Sequence, residues 1–210
     1  MFIELVDALR CPYAHEESWL VASADRMAAR HILDGMLGCP VCGVEYPIRD
    51  GVVDFRRAAH RSPVAALPAD VEQATRLAAF LGLDDALGFA VLMGEWGSHA
   101  LELRSLVDCP LVLIDPPEEI EAAPGLSLIR TDGPPPLAAG AARGVAIDAG
   151  ADPERVASAL RATRAKGRVV APIRIARPPE VRELARDGQV WVGEREAVAS
   201  PIVTLHVRRG

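Results

Sequence analysis

The chain has 210 residues, with 29 acidic and 23 basic side chains and a formal net charge of −6. Half of its residues are apolar, which excludes a disordered or fibrous chain and is enough for one sizeable core plus a small satellite domain. The acidic balance argues against a surface that coats nucleic acid, although it leaves room for a local basic patch, and no apolar run approaches the roughly 20 residues of a membrane span.

The first stretch, Met1-Phe2-Ile3-Glu4-Leu5-Val6-Asp7, carries acids where a secretory signal carries bases. The expected location is therefore cytoplasmic, where four cysteines are read as metal ligands or buried thiols before disulfides. Phe2, Ile3, Leu5, Val6 and Leu9 have a helix-like spacing that would pack one turn against the neighbouring strands. Residues 19–23 and 28–33 read as a short pair of strands, with Asp34-Gly35 as a turn. Two further short strands are expected over 44–48 and 52–55.

Between these elements lie the groups that carry chemistry. Cys39-Pro40-Val41-Cys42-Gly43 is a knuckle with a two-residue gap, preceded about thirty residues earlier by Cys11-Pro12. Structural zinc takes four N or S ligands in a tetrahedron, usually as two close pairs. Cys39 and Cys42 supply one pair. Cys11 belongs to the other, and its companion is His15 or, failing that, His31. A redox role fits less well, because a thioredoxin-type motif opens a helix whereas Gly43 and a strand come after this one.

Leu9-Arg10-Cys11-Pro12, the Cys39–Gly43 knuckle and Tyr46-Pro47-Ile48-Arg49-Asp50-Gly51-Val52 together resemble the Trm112-like zinc-ribbon family, over residues 1 to about 56. The family usually has a second cysteine two residues after Pro12, where this chain has Ala14. The resemblance implies a structural zinc on Cys11, Cys39 and Cys42, with His15 or, failing that, His31 in the fourth place, and a strand edge through which a protein partner could dock. Members of this family activate methyltransferases, and the same ribbon heads many bacterial methyltransferases.

Residues 57–69, which come directly after Arg56 and are rich in alanine and proline, read as a solvated linker. From residue 70 the pattern becomes α/β. Asp70 can cap a helix whose apolar face is Val71, Ala74, Leu77, Ala78 and Leu81. Buried strands are expected over 86–93, 111–114, 126–129, 144–148 and 168–173. Helices are expected over 99–107 and from the Asp152-Pro153-Glu154 start to about Lys166. Residues 189–192 and 202–207 could form a closing strand pair. The expected fold class is α/β: a small N-terminal zinc ribbon (1–56), a linker (57–69), and a doubly wound Rossmann-like sheet of methyltransferase type (70–210).

Strand order and length over about 70–208 resemble the class I S-adenosylmethionine-dependent methyltransferase core. The residues that carry this are Val91-Leu92-Met93-Gly94-Glu95-Trp96-Gly97-Ser98, Asp115 and Thr131-Asp132. The resemblance implies a cofactor site on Gly94 and Gly97 (the turn), Asp115 (ribose hydroxyls) and Asp132 (adenine amine). The turn departs from the family: Met93 stands where an acid is expected, and Glu95, Trp96 and His99 crowd a place normally rich in glycine. Bulky groups there would take the volume that glycine leaves for a cofactor. No catalytic constellation stands out. There is no G-x-S-x-G elbow, P-loop or G-x-G-x-x-G, and Asp148 lacks the substrate-binding sequence that often surrounds it in this family. The expected function is a zinc-binding, methyltransferase-like protein with a degenerate cofactor site, acting as a binding or regulatory module. The alternative is an active S-adenosylmethionine-dependent methyltransferase on RNA, protein or a small molecule.

Overall fold

The computed structural model describes residues 1–57, 64–68, 70–84 and 87–197. One mixed sheet of eleven strands organises them. Its first part is an antiparallel meander: β1 (Val21–Ala28), β2 (His31–Gly38), β3 (Glu45–Arg49) and β4 (Val52–Asp54). A 3₁₀ helix, Ile3–Ala8, precedes it and buries Leu5 and Ala8, as the spacing of the apolar residues predicts.

The turn between β1 and β2 lies at Ala29 and Arg30, both with left-handed φ, and Asp34-Gly35, expected to form a turn after the second strand, is not a turn. Asp34 instead sits inside β2, where its carboxylate pairs across the sheet with Arg26 at 2.5 Å. Arg30 is held to Glu4 of the helical turn. The hairpin is longer than hydrophobic pattern alone suggests, since almost all of β1 is exposed and gives no alternation to read.

The remaining elements are α1 (Val71–Leu81), β5 (Ala90–Met93), α2 (Ala100–Leu106), β6 (Leu111–Ile114), β7 (Leu126–Arg130), β8 (Ala142–Ala146), α3 (Pro153–Ala162), β9 (Thr163–Pro172), β10 (Val181–Arg186) and β11 (Val190–Arg195). Strand order across the sheet is β1-β2-β3-β4-β7-β6-β5-β8-β9-β11-β10. From β4 through β9 every neighbouring pair is parallel, and β11 and β10 then reverse as an antiparallel hairpin at the far edge. β5 and β6 are apolar and buried on both faces, and β7 and β8 are buried but for the half-buried Arg130, the pattern of a parallel sheet covered by helices on each side.

Both predicted caps are present. The Asp70 side chain accepts from the Glu72 N–H, and the Asp152 side chain accepts from the Arg155 N–H ahead of Pro153 at the first helical position. α3 is shorter than expected. It stops at Ala162 and the chain enters β9 at once, with the Thr163 hydroxyl donating back to the Ala159 carbonyl. β10 is not predicted by the hydrophobic pattern, because Val181 is its sole buried residue. β11 pairs with β10 and β9; the expected closing strand 202–207 lies outside the described residues, as does part of the 57–69 linker.

Two cores flank the sheet. One packs α1 and α2 through Leu77, Leu81, Leu92, Leu103, Leu111 and Leu113. The other joins the N-terminal meander to the parallel strands, with Leu5, Leu9, Ile32 and Ile48 in one cluster with Val91, Val112, Val145 and Trp191. Backbone bonds run across the same junction: Ala138 N–H to Ala8, Arg10 N–H to Pro136 and Phe55 N–H to Arg130. The N-terminal segment is thus continuous with the large sheet in both hydrogen bonding and core.

Candidate metal centre and glycine turn

Four potential ligands converge at one end of the meander. The Cys39 and Cys42 knuckle comes after β2 and is closed by Gly43, in left-handed φ, whose N–H donates to the Cys39 carbonyl at 2.9 Å. Cys11 and His15 come from the loop between the first helical turn and β1. The ligand atoms of Cys11, His15, Cys39 and Cys42 all lie within 4.8 Å of one another. Cys11 Sγ is 3.8 Å from Cys42 Sγ, and Cys39 Sγ is 3.4 Å from His15 Nε2. A tetrahedron with Zn–S near 2.3 Å separates its sulfurs by about 3.8 Å, so this donor set fits a zinc ion without rearranging the backbone. The cluster could bind a metal.

His31, the other histidine weighed for the fourth place, is turned elsewhere. Its Nε2 accepts from the Gly125 N–H at 3.1 Å and its Nδ1 lies 2.9 Å from the Ala29 carbonyl. Burial opposes the charged form of Cys39, but backbone N–H groups of Cys42 and Val41 and the neighbouring thiols bring its thiol down to about 6. Burial pushes the Cys11 thiol up, with the Tyr46 hydroxyl 3.5 Å from its sulfur working the other way. A cluster that stabilises thiolate at one member and crowds another is what a cation would relieve.

The other candidate residues lie at the C-terminal ends of neighbouring parallel strands: Gly94 and Gly97 after β5, Asp115 after β6 and Asp132 after β7. The turn after β5 is a 3₁₀ helix, Gly94–His99, packed tightly against its surroundings. A Cβ at Gly94 would stand 2.7 Å from the Asp148 Cβ, and one at Gly97 would stand 2.7 Å from the Pro116 Cβ. Both glycines are therefore required by protein packing against the loops after β8 and β6. Trp96 donates its indole N–H to the Ile147 carbonyl at 3.0 Å, and the Glu95 carboxylate accepts from the Ala149 N–H at 2.8 Å. Glu95 and Trp96 thus tie this turn to the residues just after β8.

Asp115 is buried, in a left-handed conformation, and accepts from the Thr131 N–H at 2.7 Å. Its other oxygen receives the Arg155 guanidinium at 2.9 Å, and both side chains are at most 5% exposed. Arg155 also donates to the Gly133 carbonyl, so one buried guanidinium crosses from α3 to the loops after β6 and β7. Asp132 is exposed and accepts from the Arg57 N–H at 3.1 Å, while the Arg57 guanidinium stacks 3.9 Å above the Tyr13 ring. Arg155 was invisible to sequence reasoning, since a basic residue in the first turn of a helix looks like a solvated surface group.

Residues 3–51 match the family model described as Trm112p-like protein. No curated protein sequence matches the chain. The chain is thus a mixed α/β protein with a Trm112p-like N-terminal segment that carries a Cys/His cluster able to hold a metal.

Proposed function

We propose that this is a zinc-binding, methyltransferase-like protein whose cofactor site has been rebuilt with protein contacts, and that it works as a binding or regulatory module. The division proposed is a ribbon over 1–56, a linker over 57–69 and a methyltransferase-like unit over 70–210. Numbered from β5, the parallel strands β7-β6-β5-β8-β9 read 3-2-1-4-5, the doubly wound order in which ligands bind at the C-terminal strand ends. That order supports the likeness to a Rossmann-type core, and Gly94, Gly97, Asp115 and Asp132 are the proposed remnants of the cofactor crevice.

The single observation that carries the reading is the Asp115–Arg155 pair. A carboxylate that is to hold ribose hydroxyls must face a ligand, whereas this one is occupied by a buried guanidinium and a backbone N–H. Freeing it would strand a buried charge on Arg155. The zinc, held by Cys11, His15, Cys39 and Cys42, would cross-link the loop after the first helical turn to the knuckle and perform no chemistry. Trm112-like domains are partner-binding modules, which favours a protein partner for this one.

Calorimetric titration with S-adenosylmethionine tests the proposal. The expected result is weak or undetectable binding; a dissociation constant in the low micromolar range or tighter would return the chain to the active methyltransferases.

A further inference from the structure

A groove of about 600 Å³ runs beside α3, between that helix and residues 173–180. This volume lies in the roughly 300–1,000 Å³ range of built ligand sites. Its floor is apolar, with Leu160 buried and Val156 and Ile175 half-buried. Its lining carries Arg161, Arg174 and Arg195 against a single acid, Glu180.

These three cations line one groove in a chain of net charge −6. Arg26, Arg30, Arg56, Arg143 and Arg155 each meet a carboxylate. Among the described residues, Arg161 donates to the Ser158 hydroxyl, Arg195 donates to the carbonyls of Arg161 and Thr163, and none of the three rim arginines meets a carboxylate. Side chains that keep their positive charge uncompensated around one apolar trough are complementary to an acid with an apolar body.

The placement of the charges narrows the occupant. Arg174 lies just past the C-terminal end of β9, the end at which α3 begins, whereas Arg161 and Arg195 lie where α3 finishes and β9 starts. From Pro153 to Arg161 the helix rises about 12 Å at 1.5 Å per residue. A ligand with one carboxylate would satisfy one end only. An extended peptide covers that distance in about four residues at ~3.3 Å each and can place acids at both ends of an apolar middle.

We propose that this groove binds an extended acidic peptide segment of a partner protein, with carboxylates at each end seated on Arg174 and on Arg161 and Arg195, and apolar side chains between them on Val156, Leu160 and Ile175. The groove shares Ala157 and Arg161 with the neighbouring pocket that holds Cys11 and His15, but it contains no cluster ligand and no residue of the turn after β5, so it stands or falls independently of whether S-adenosylmethionine binds.

The test is fluorescence anisotropy of the full chain with a blocked, fluorescein-labelled Glu-Leu-Val-Glu peptide, against a Lys-Leu-Val-Lys control. The acidic peptide should bind, bind more weakly as salt is raised, and outbind the basic control. Arg174→Glu should weaken binding about tenfold, by removing one exposed pair and adding a like charge, with an unchanged melting temperature. Val156→Glu, which fills the apolar middle with a charge, should also weaken it. Equal binding of the two peptides, or full affinity in Arg174→Glu, would overturn the proposal. So would binding of sebacate, two carboxylates on an apolar chain, without binding of the peptide.

Discussion

Asp115 and Arg155 meet with almost no solvent around them, and this sets how each will respond to substitution. Removing one partner of such a pair leaves the other charge buried and typically costs about 3–5 kcal/mol. Arg155→Ala is therefore expected to lower stability by that order in a denaturant titration, whereas replacing the pair together, Asp115→Asn with Arg155→Met, should recover most of it. If Asp115 served chiefly to hold a ligand, Arg155→Ala would leave stability nearly unchanged.

His99 gives a pH dependence of defined sign. It closes the turn after β5, is 3% exposed, and its Nδ1 has no hydrogen-bond partner among the described residues. Burial lowers its pKa in the folded chain, against smaller opposing effects of Glu102 and Asp70. The unfolded chain, with an ordinary value near 6.5, then takes up a proton at a pH where the folded chain does not. Stability contributed by neutral His99 is present above about pH 6.5 and is lost as pH falls through that value toward the lowered one. Thermal melts from pH 8 to 5 should show this decline, and His99→Gln should flatten it.

At the scale of elements, the two knuckle loops are joined by side chains and by little else. Cys11 N–H bonds to the Ser18 carbonyl and Cys39 N–H to the Val44 carbonyl, each within its own loop. A metal across Cys11, His15, Cys39 and Cys42 would supply the link between them, and structural zinc in small metal domains contributes on the order of 10 kcal/mol. One zinc per chain is expected by elemental analysis. Cys39→Ser should lose it and lower the melting temperature of the chain, with faster amide exchange in β1–β3. A metal-free preparation with intact protection there would defeat the assignment.

Across the whole molecule, β4 lies against β7 in parallel register, Val52 opposite Leu128 and Asp54 opposite Arg130. This pairing occupies one edge of the meander within the chain itself, which leaves β1 as its open edge among the described residues. Because the N-terminal residues also share a core with β5, β6, β8 and Trp191, the molecule should unfold in one transition. Chelation should shift that transition as a whole. A second, unmoved transition for the parallel sheet would mean that the two parts are energetically separate.

Much of this architecture was open to reading from residues alone, where the signal is local. The Cys39-to-Gly43 knuckle, the caps at Asp70 and Asp152, and the strand over 111–114 depend on spacing and on neighbours within a few positions. The glycines of the turn and the acids after the strands could be found the same way. Their use could not: Gly94 is needed for Asp148 and Gly97 for Pro116, contacts that exist only once β5, β6 and β8 are side by side. Spacing already ranked His15 ahead of His31, and the fold turns the one toward the cluster and the other toward Gly125. Sequence by itself determined the element types and the chemistry available, because propensity, capping and ligand spacing act over short range. Tertiary structure decided which acid is spent on which base and which strand edge remains open, because those depend on partners tens of residues apart.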